Sequence, residues 1–283
     1  MWIEFRKDGV NNIMGIGRFY LVENQSKLVN TTFIKKPTPF KVTYTDWISP
    51  YILRANEKKG TNSIPTFTGG WHGYNGDGTG SPTARTKSYA VFVDGRKVYD
   101  KGVIVGKEVV IEVINYIQAY NTKNIDGTGR EVMKETIQYI LTEGNVEVLC
   151  EIEALEEIVI ERYYGIQSDN IGWDGTLIYG EELVVYKGKE DSKYFSKEFQ
   201  QLIDSYKLVS KDGKHKLIAW MDRTIGLGGY KNLSEGKPTI FTLDYGKTYF
   251  NLINGVPKKV KQREILNWRG GYKFSYQETV IVK

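Results

Sequence analysis

The sequence predicts an all-β protein, a large antiparallel β-sandwich with one short helix. Three observations carry that expectation. Apolar residues alternate with a period of two in run after run, Gly-containing turns join the runs at short intervals, and aromatic and β-branched residues are plentiful. Of the 283 residues, 20 are Tyr, 11 are Phe, 6 are Trp and 30 are Gly. Hydrophobic residues make 40% and charged residues 26%, the balance of a folded chain rather than a disordered one.

The elements follow in order. The first 55 residues are irregular and contain Lys36-Pro37-Thr38-Pro39. We read them as a strand-rich lead-in packed on the same sheets, so that residues 1–283 form a single sandwich domain. Ser88 to Val93 meets Arg96 to Tyr99 across Asp94-Gly95, a pair that supplies the positive φ angles of a tight hairpin turn. Glu108 to Tyr120 keeps Val109, Ile111, Val113, Ile117 and Ala119 in register. Val132 to Leu141 leads through Glu143-Gly144-Asn145 into Val146, Val148, Cys150, Ile152 and Ala154, which share one face. Cys150 thereby reads as a packed core thiol. Leu177 to Tyr186, Lys216 to Met221, Thr239 to Leu243, Thr248 to Leu252 and Tyr272 to Val282 complete the strands. Phe199, Leu202, Ile203 and Tyr206 follow helical spacing, with Ser196 as N-cap and Glu198 in the first turn, and predict the helix.

Several functions are disfavoured at this stage. One Cys and two His give no intrachain disulfide, no Cys/His zinc cluster and no thioredoxin motif. No metal or cofactor is expected. Asn75-Gly76-Asp77-Gly78-Thr79 and Asp126-Gly127-Thr128-Gly129 lack the alternating carboxylates of a helix-loop-helix calcium site and read as turns. Neither a phosphate loop nor a Gly-x-Ser-x-Gly elbow is present. The net charge of +5 is too small to argue for nucleic acid. Its densest run, Lys258 to Arg263, reads as a solvated edge. The N-terminus shows no secretory pattern, and no apolar window approaches the roughly 20 residues of a membrane span.

The chemistry points to sugars. Aromatic rings offer apolar faces to sugar C–H groups, and neighbouring polar side chains pair with hydroxyls. Here aromatics stand beside glycines, which let a loop approach a ligand closely. The segments are Trp71-His72-Gly73-Tyr74-Asn75, Tyr163-Tyr164-Gly165, Trp173-Asp174-Gly175 and Trp268-Arg269-Gly270-Gly271-Tyr272. The bland alternative is that these rings plug the ends of a sandwich. His72, in a loop between glycines, is the candidate acid/base; the alternative is a loop histidine bonded to backbone. His215 sits among like charges at a turn and reads as exposed. Glu151 and Glu153 read as a solvated strand face. Glu161, ahead of Arg162-Tyr163-Tyr164, is the carboxylate to test first.

Two stretches resemble known families. Thr43 to Tyr51, with Phe67 to Asn75 and Pro82 to Thr86, resembles a segment of tail-associated proteins from phages and prophages of Gram-positive bacteria. Asn145 to Gln167, ending Glu161-Arg162-Tyr163-Tyr164-Gly165-Ile166-Gln167, is similar to galactose-mutarotase-like super-sandwiches and to the sandwich domains of polysaccharide lyases. The first resemblance implies a virion component made in a host cytoplasm, with other tail proteins and a bacterial cell-wall or capsular glycan as partners. The second implies acid/base chemistry from His72 with Glu161, or from His72, Tyr163 or Tyr164 with Arg162. The leading expectation is a tail-associated module that binds a cell-surface carbohydrate. The alternative is a lyase or mutarotase-like enzyme using His72, and a third reading is a structural virion part. No nucleic acid or membrane partner is expected, and edge strands are compatible with a homo-oligomer.

Overall fold

The structure is a computed structural model. It describes residues 2–20, 42–57, 60, 64–99, 102–170, 173, 175–181, 183–187, 202–243 and 245–276. β1 (Trp2–Asp8) and β2 (Ile13–Tyr20) form an N-terminal hairpin, and β3 (Val42–Tyr44) pairs with β2. β4 (Tyr51–Ala55) and β5 (Phe67–Thr68) follow. Next come β6 (Ala84–Val93), β7 (Arg96–Val98), β8 (Val109–Gln118), β9 (Glu131–Thr142) and β10 (Asn145–Ala154). β11 (Ile158–Tyr163) and β12 (Gln167–Asp169) precede β13 (Thr176–Tyr179), β14 (Leu183–Lys187), β15 (Ser205–Val209) and β16 (His215–Met221). β17 (Ile240–Thr242), β18 (Lys247–Phe250), β19 (Ile253–Val260) and β20 (Ile265–Tyr276) close the chain.

The fold is all-β and antiparallel. Ten strands make one large sheet in the order β14-β13-β15-β16-β20-β10-β9-β8-β6-β7. Three smaller sheets accompany it: β1-β2-β3, β19-β11-β4-β5 and β12-β18-β17. Period-two alternation sets the large sheet's register. Val113, Ile137, Cys150 and Trp268 lie side by side across β8, β9, β10 and β20, and all four are buried. Cys150 is a core thiol, as its strand position implied. Each fully buried Val, Leu or Ile contributes about 1.5–3 kcal/mol. The hydrophobic cluster built this way runs from Ile16 to Phe274.

The layers are also joined by tyrosines. Tyr51 on β4 donates to Glu135 on β9 at 2.6 Å, and Tyr206 on β15 donates to Ser168 on β12 at 2.8 Å. Tyr272 on β20 donates to the main-chain carbonyls of Trp47 and Gln167. Burial pushes the Glu135 carboxyl up, against the bonds from Tyr51 and Asn115.

Three expectations need correction. Tyr206 belongs to a strand, with Tyr206 and Leu208 buried between β13 and β16; period-two burial over Ser205–Val209 overrides the helical spacing. Leu202 and Ile203 are irregular, and Ser196, Glu198 and Phe199 lie outside the described residues. Leu177 to Tyr186 is a hairpin, β13 and β14, turning at Gly180. His215 lies on β16 with its side chain only 11% exposed, against the ring of Tyr276. The Asp94-Gly95 turn is as expected, with φ of +47° and +78°.

Candidate functional site

The loop from Gly69 to Thr83 leaves β5 and carries Trp71 and His72 in opposite surroundings. His72 faces Asp46, which sits between β3 and β4. Its Nε2 lies 3.3 Å from Asp46 Oδ2, an ion-pair distance rather than a well-aligned hydrogen bond. Its Nδ1 lies 2.9 Å from the carbonyl oxygen of Gly76. Both ring nitrogens therefore face acceptors, and only the imidazolium serves both.

Asp46 is almost fully enclosed, with 3% of its side chain exposed. Lys247 Nζ, arriving from β18, lies 3.0 Å from Asp46 Oδ1. Thr45 Oγ1 donates to the same oxygen at 3.1 Å, and Gln167 Nε2 donates to it and to the Asp46 carbonyl. Burial works to raise the Asp46 carboxyl, yet the contacts from His72 and Lys247 hold it below the ordinary value near 3.8. Burial works to lower His72, yet Asp46 holds it above the ordinary value near 6.5. The result is a fixed cation–anion–cation row joining three separate parts of the chain.

Aromatic rings adjoin this row. Phe67 lies 5.7 Å from the His72 ring and 6.0 Å from Tyr164, and both Phe67 and Tyr164 are half-buried. Tyr164 rests on Phe241 and Tyr249, each at 5.2 Å, and those two rings stack on each other. Tyr245, 54% exposed, shares a 2.8 Å hydroxyl contact with Tyr249. The buried pair backs the Tyr164 ring, Phe67 joins Tyr164 to His72, and Lys247 stands two residues before Tyr249 on β18.

The structure separates the other sequence candidates. Tyr163 is fully buried, stacked 4.0 Å from Tyr51, and its hydroxyl accepts the indole N–H of Trp268 at 2.9 Å. Trp268 and Trp173 are buried as well. Tyr74 is buried, donates to Gln118, and has Lys123 over its ring. These four are core rings whose polar tips or faces are covered by protein, so they offer no surface to a sugar. Glu161 pairs with Arg54 at 2.8 Å and meets the Tyr120 hydroxyl, so it is not the partner of His72. Arg162 is exposed beside it. Arg269 points from the opposite face to Trp268 and pairs with Glu147 at 2.7 Å. Exposed Asn75 bonds Thr79 within its own turn. Asp174 lies outside the described residues. Asp77 and Asp126 each turn one carboxylate oxygen onto the amide and hydroxyl of a Thr two residues on, which closes both Asp-Gly-Thr turns. Among the described residues no group of three or more His, Cys, Asp or Glu could hold a metal.

Trp71 faces a cleft with Arg6, Asp8, Tyr139 and Glu135 on its walls. Its volume is about 30 Å³. That is room for one or two waters, against roughly 300 Å³ or more for a small-molecule pocket.

Asp46, Gln167, Lys247, Phe67, Phe241, Tyr245 and Tyr249 are additions that the sequence reading did not assign to a site. Asp46 lies inside the Thr43 to Tyr51 stretch, where no local pattern marks it. Lys247 is 201 residues from it, and no spacing announces that contact.

No protein-family model matches the chain, and no curated protein matches it. Among solved structures, the α-galactosidase AgaA of glycoside hydrolase family 36 from Geobacillus stearothermophilus, in complex with stachyose, superposes with a TM-score of 0.48 at 11% identity. That match covers 98% of this chain and 41% of the galactosidase, so the chain spans well under half of that enzyme. The galactosidase domain of an α-galactosidase–sucrose kinase gives 0.45 at 9% identity, over 97% of this chain and 39% of that one. A galactose mutarotase-like protein from Clostridium acetobutylicum gives 0.35 at 9% identity, over 63% and 66%. These neighbours come from carbohydrate-active proteins. Overlap at this level carries no argument about the activity of this chain.

Proposed function

We propose that the chain is a carbohydrate-binding domain whose ligand lies on the Phe67–Tyr164–Tyr245 face. The observation that carries this reading is the aromatic face itself. The half-buried Tyr164 is backed by Phe241 and Tyr249, Phe67 joins it to His72, exposed Tyr245 meets the Tyr249 hydroxyl, and Lys247 shares β18 with Tyr249. Rings of that kind receive the C–H side of a sugar, and the rim meets its hydroxyls. The ligand class is a bacterial cell-surface glycan. The setting in a phage tail rests on the sequence resemblance of residues 43–86 alone, and none of the solved structures named above is a tail protein.

The test is a glycan array on the full chain with Tyr164→Ala in parallel. Loss of one stacking ring removes about 0.5–1.5 kcal/mol beyond its area, so affinity falls roughly tenfold. Absence of binding to any wall or capsular glycan, or binding that Tyr164→Ala leaves intact, refutes the proposal. A second reading is glycan processing through His72, favoured by the carboxylate that holds its ring charged. Proton transfer there requires Nδ1 to leave the Gly76 carbonyl. Release of unsaturated or reducing-end product, abolished by His72→Ala, distinguishes it from binding alone.

A further inference from the structure

The loop bearing Trp71 and His72 closes through two isolated bridges, Gly69 with His72 and Gly73 with Pro82. Its carbonyls at positions 70 and 72 are engaged by one side chain from far away in sequence. Asn11, on the turn of the β1–β2 hairpin, donates through Nδ2 to the carbonyls of Gly70 and His72, both at 2.9 Å. Its Oδ1 accepts from the amides of Thr83 at 2.7 Å and Ala84 at 3.0 Å. A side-chain amide has two donor hydrogens and two acceptor lone pairs, and here all four are matched. Asn11 is only 4% exposed. Beside it, the Val10 amide donates to the Trp71 carbonyl at 3.3 Å. Gly9, at φ +69°, packs so tightly that a Cβ there would stand 2.5 Å from the Trp71 Cα.

We propose that Asn11 is a positioning residue for the candidate site: it holds the loop where His72 meets Asp46 and Phe67, although the hairpin lends no ring to the aromatic face. The inference rests on the carbohydrate reading for its ligand, and on the His72–Asp46 contact for its test. Without the two donated bonds, the Gly70 carbonyl loses its side-chain partner and the His72 carbonyl keeps only the Thr83 hydroxyl, so the loop has room to draw the imidazole away from the carboxylate. The charged groups that act on that ring are Asp46 at 3.3 Å, Lys247 beyond it, and Asp77 in the same loop.

The chain has two histidines, which makes the readout direct. The imidazole titrations of His72 and His215 are followed by NMR in wild type and in Asn11→Ala, alongside melting temperature and glycan affinity. The midpoint of His72 is expected to fall towards 6.5, the ordinary value, while that of His215 on β16 stays in place. Glycan affinity drops at least tenfold. If Asn11→Ala does not fold, Asn11→Ser serves: it brings no charge near the imidazole and removes the paired amide donation to the two carbonyls. A variant with lowered melting temperature but an unchanged His72 titration overturns the positioning role. A wild type that binds no glycan refutes the proposed function, and the His72 titration still decides the role of Asn11.

Discussion

Replacing Asp46 by Asn removes one charge from the row and changes its shape little. Asp46 is enclosed, whereas His72 and Lys247 keep 24% and 27% of their side chains in solvent. Removing one member of a fully buried ion pair costs about 3–5 kcal/mol, because the partner is left uncompensated. Water reaches both cations here, which lowers the figure to about 2–3 kcal/mol, in line with two charge-assisted contacts at about 1.5 kcal/mol or less each after screening. For a chain near this size, 1 kcal/mol moves the melting temperature by about 2–4 °C. The expected drop is then about 4–12 °C near pH 5.5.

The pH profile identifies the cause. Asp46 has a folded value below its ordinary 3.8, so its contribution is present above 3.8 and is lost as pH falls through the folded value. His72 has a folded value above its ordinary 6.5, so its contribution is complete below 6.5 and is lost as pH rises through the folded value. The difference in stability between wild type and Asp46→Asn is therefore widest from about pH 4 to 6.5 and narrows on both sides, with a remainder from Lys247 on the alkaline side. Thermal or urea unfolding at half-unit steps from pH 3 to 9 measures it. A difference that stays constant across that range, or is absent, refutes the account of the row as an ion-paired unit.

Two further substitutions probe the frame around the site. Trp268→Phe takes the indole donor from the Tyr163 hydroxyl and leaves a small void, so it should cost about 1–3 kcal/mol in urea unfolding while glycan affinity is unchanged. Lost affinity at unchanged stability would restore Trp268 as a ligand contact. Arg223 donates to four carbonyls, those of Ile203, Gly228, Thr239 and Asn251, and burial pushes its guanidinium down to about 10. Arg223→Met leaves those carbonyls without their donor and should destabilise by about 2–4 kcal/mol, and a melting temperature within a degree of wild type would sink that role.

Period two was the strongest signal in the sequence, and it located the long strands well. Val146, Val148, Cys150, Ile152 and Ala154 are buried together, as their alternation implied. The same signal explains the failure at Tyr206, where two principles competed. Ile203 and Tyr206 fit a helix face, but Tyr206 and Leu208 also fit a strand, and a neighbouring strand was there on each side to pair with. Pairing of that kind is not written in local sequence. The candidate site was legible only in part. His72 stood out because histidines are rare in this chain, but its partners come from β18 and from the turn before β4. Asn11 gave no local signal, because its four bonds reach residues about 60 to 70 positions away.

The rule that misplaced most binding candidates was that an aromatic beside a glycine marks ligand approach. Glycine admits any close neighbour, and in this fold the neighbour is usually another strand. At Gly175 a Cβ would lie 1.7 Å from the carbonyl oxygen of Val209, so the backbone after Trp173 is pressed against β15. The tyrosine excess has a matching cause. Tyr51, Tyr163, Tyr206 and Tyr272 are fully buried, and each hydroxyl bonds a group in another layer. Phenylalanine would fill the same space and take one partner each from Glu135, Ser168 and the Trp268 indole, so a sandwich with polar groups between its layers selects tyrosine. What separates a sugar ring from a core ring is then the polar tip. These four core tyrosines bond across layers, whereas Tyr245 and Tyr249 bond each other beside the β17–β18 turn, where the ring of Tyr245 faces solvent. By that criterion the aromatic count speaks first for the fold, and only the few rings around His72 and Lys247 speak for a ligand.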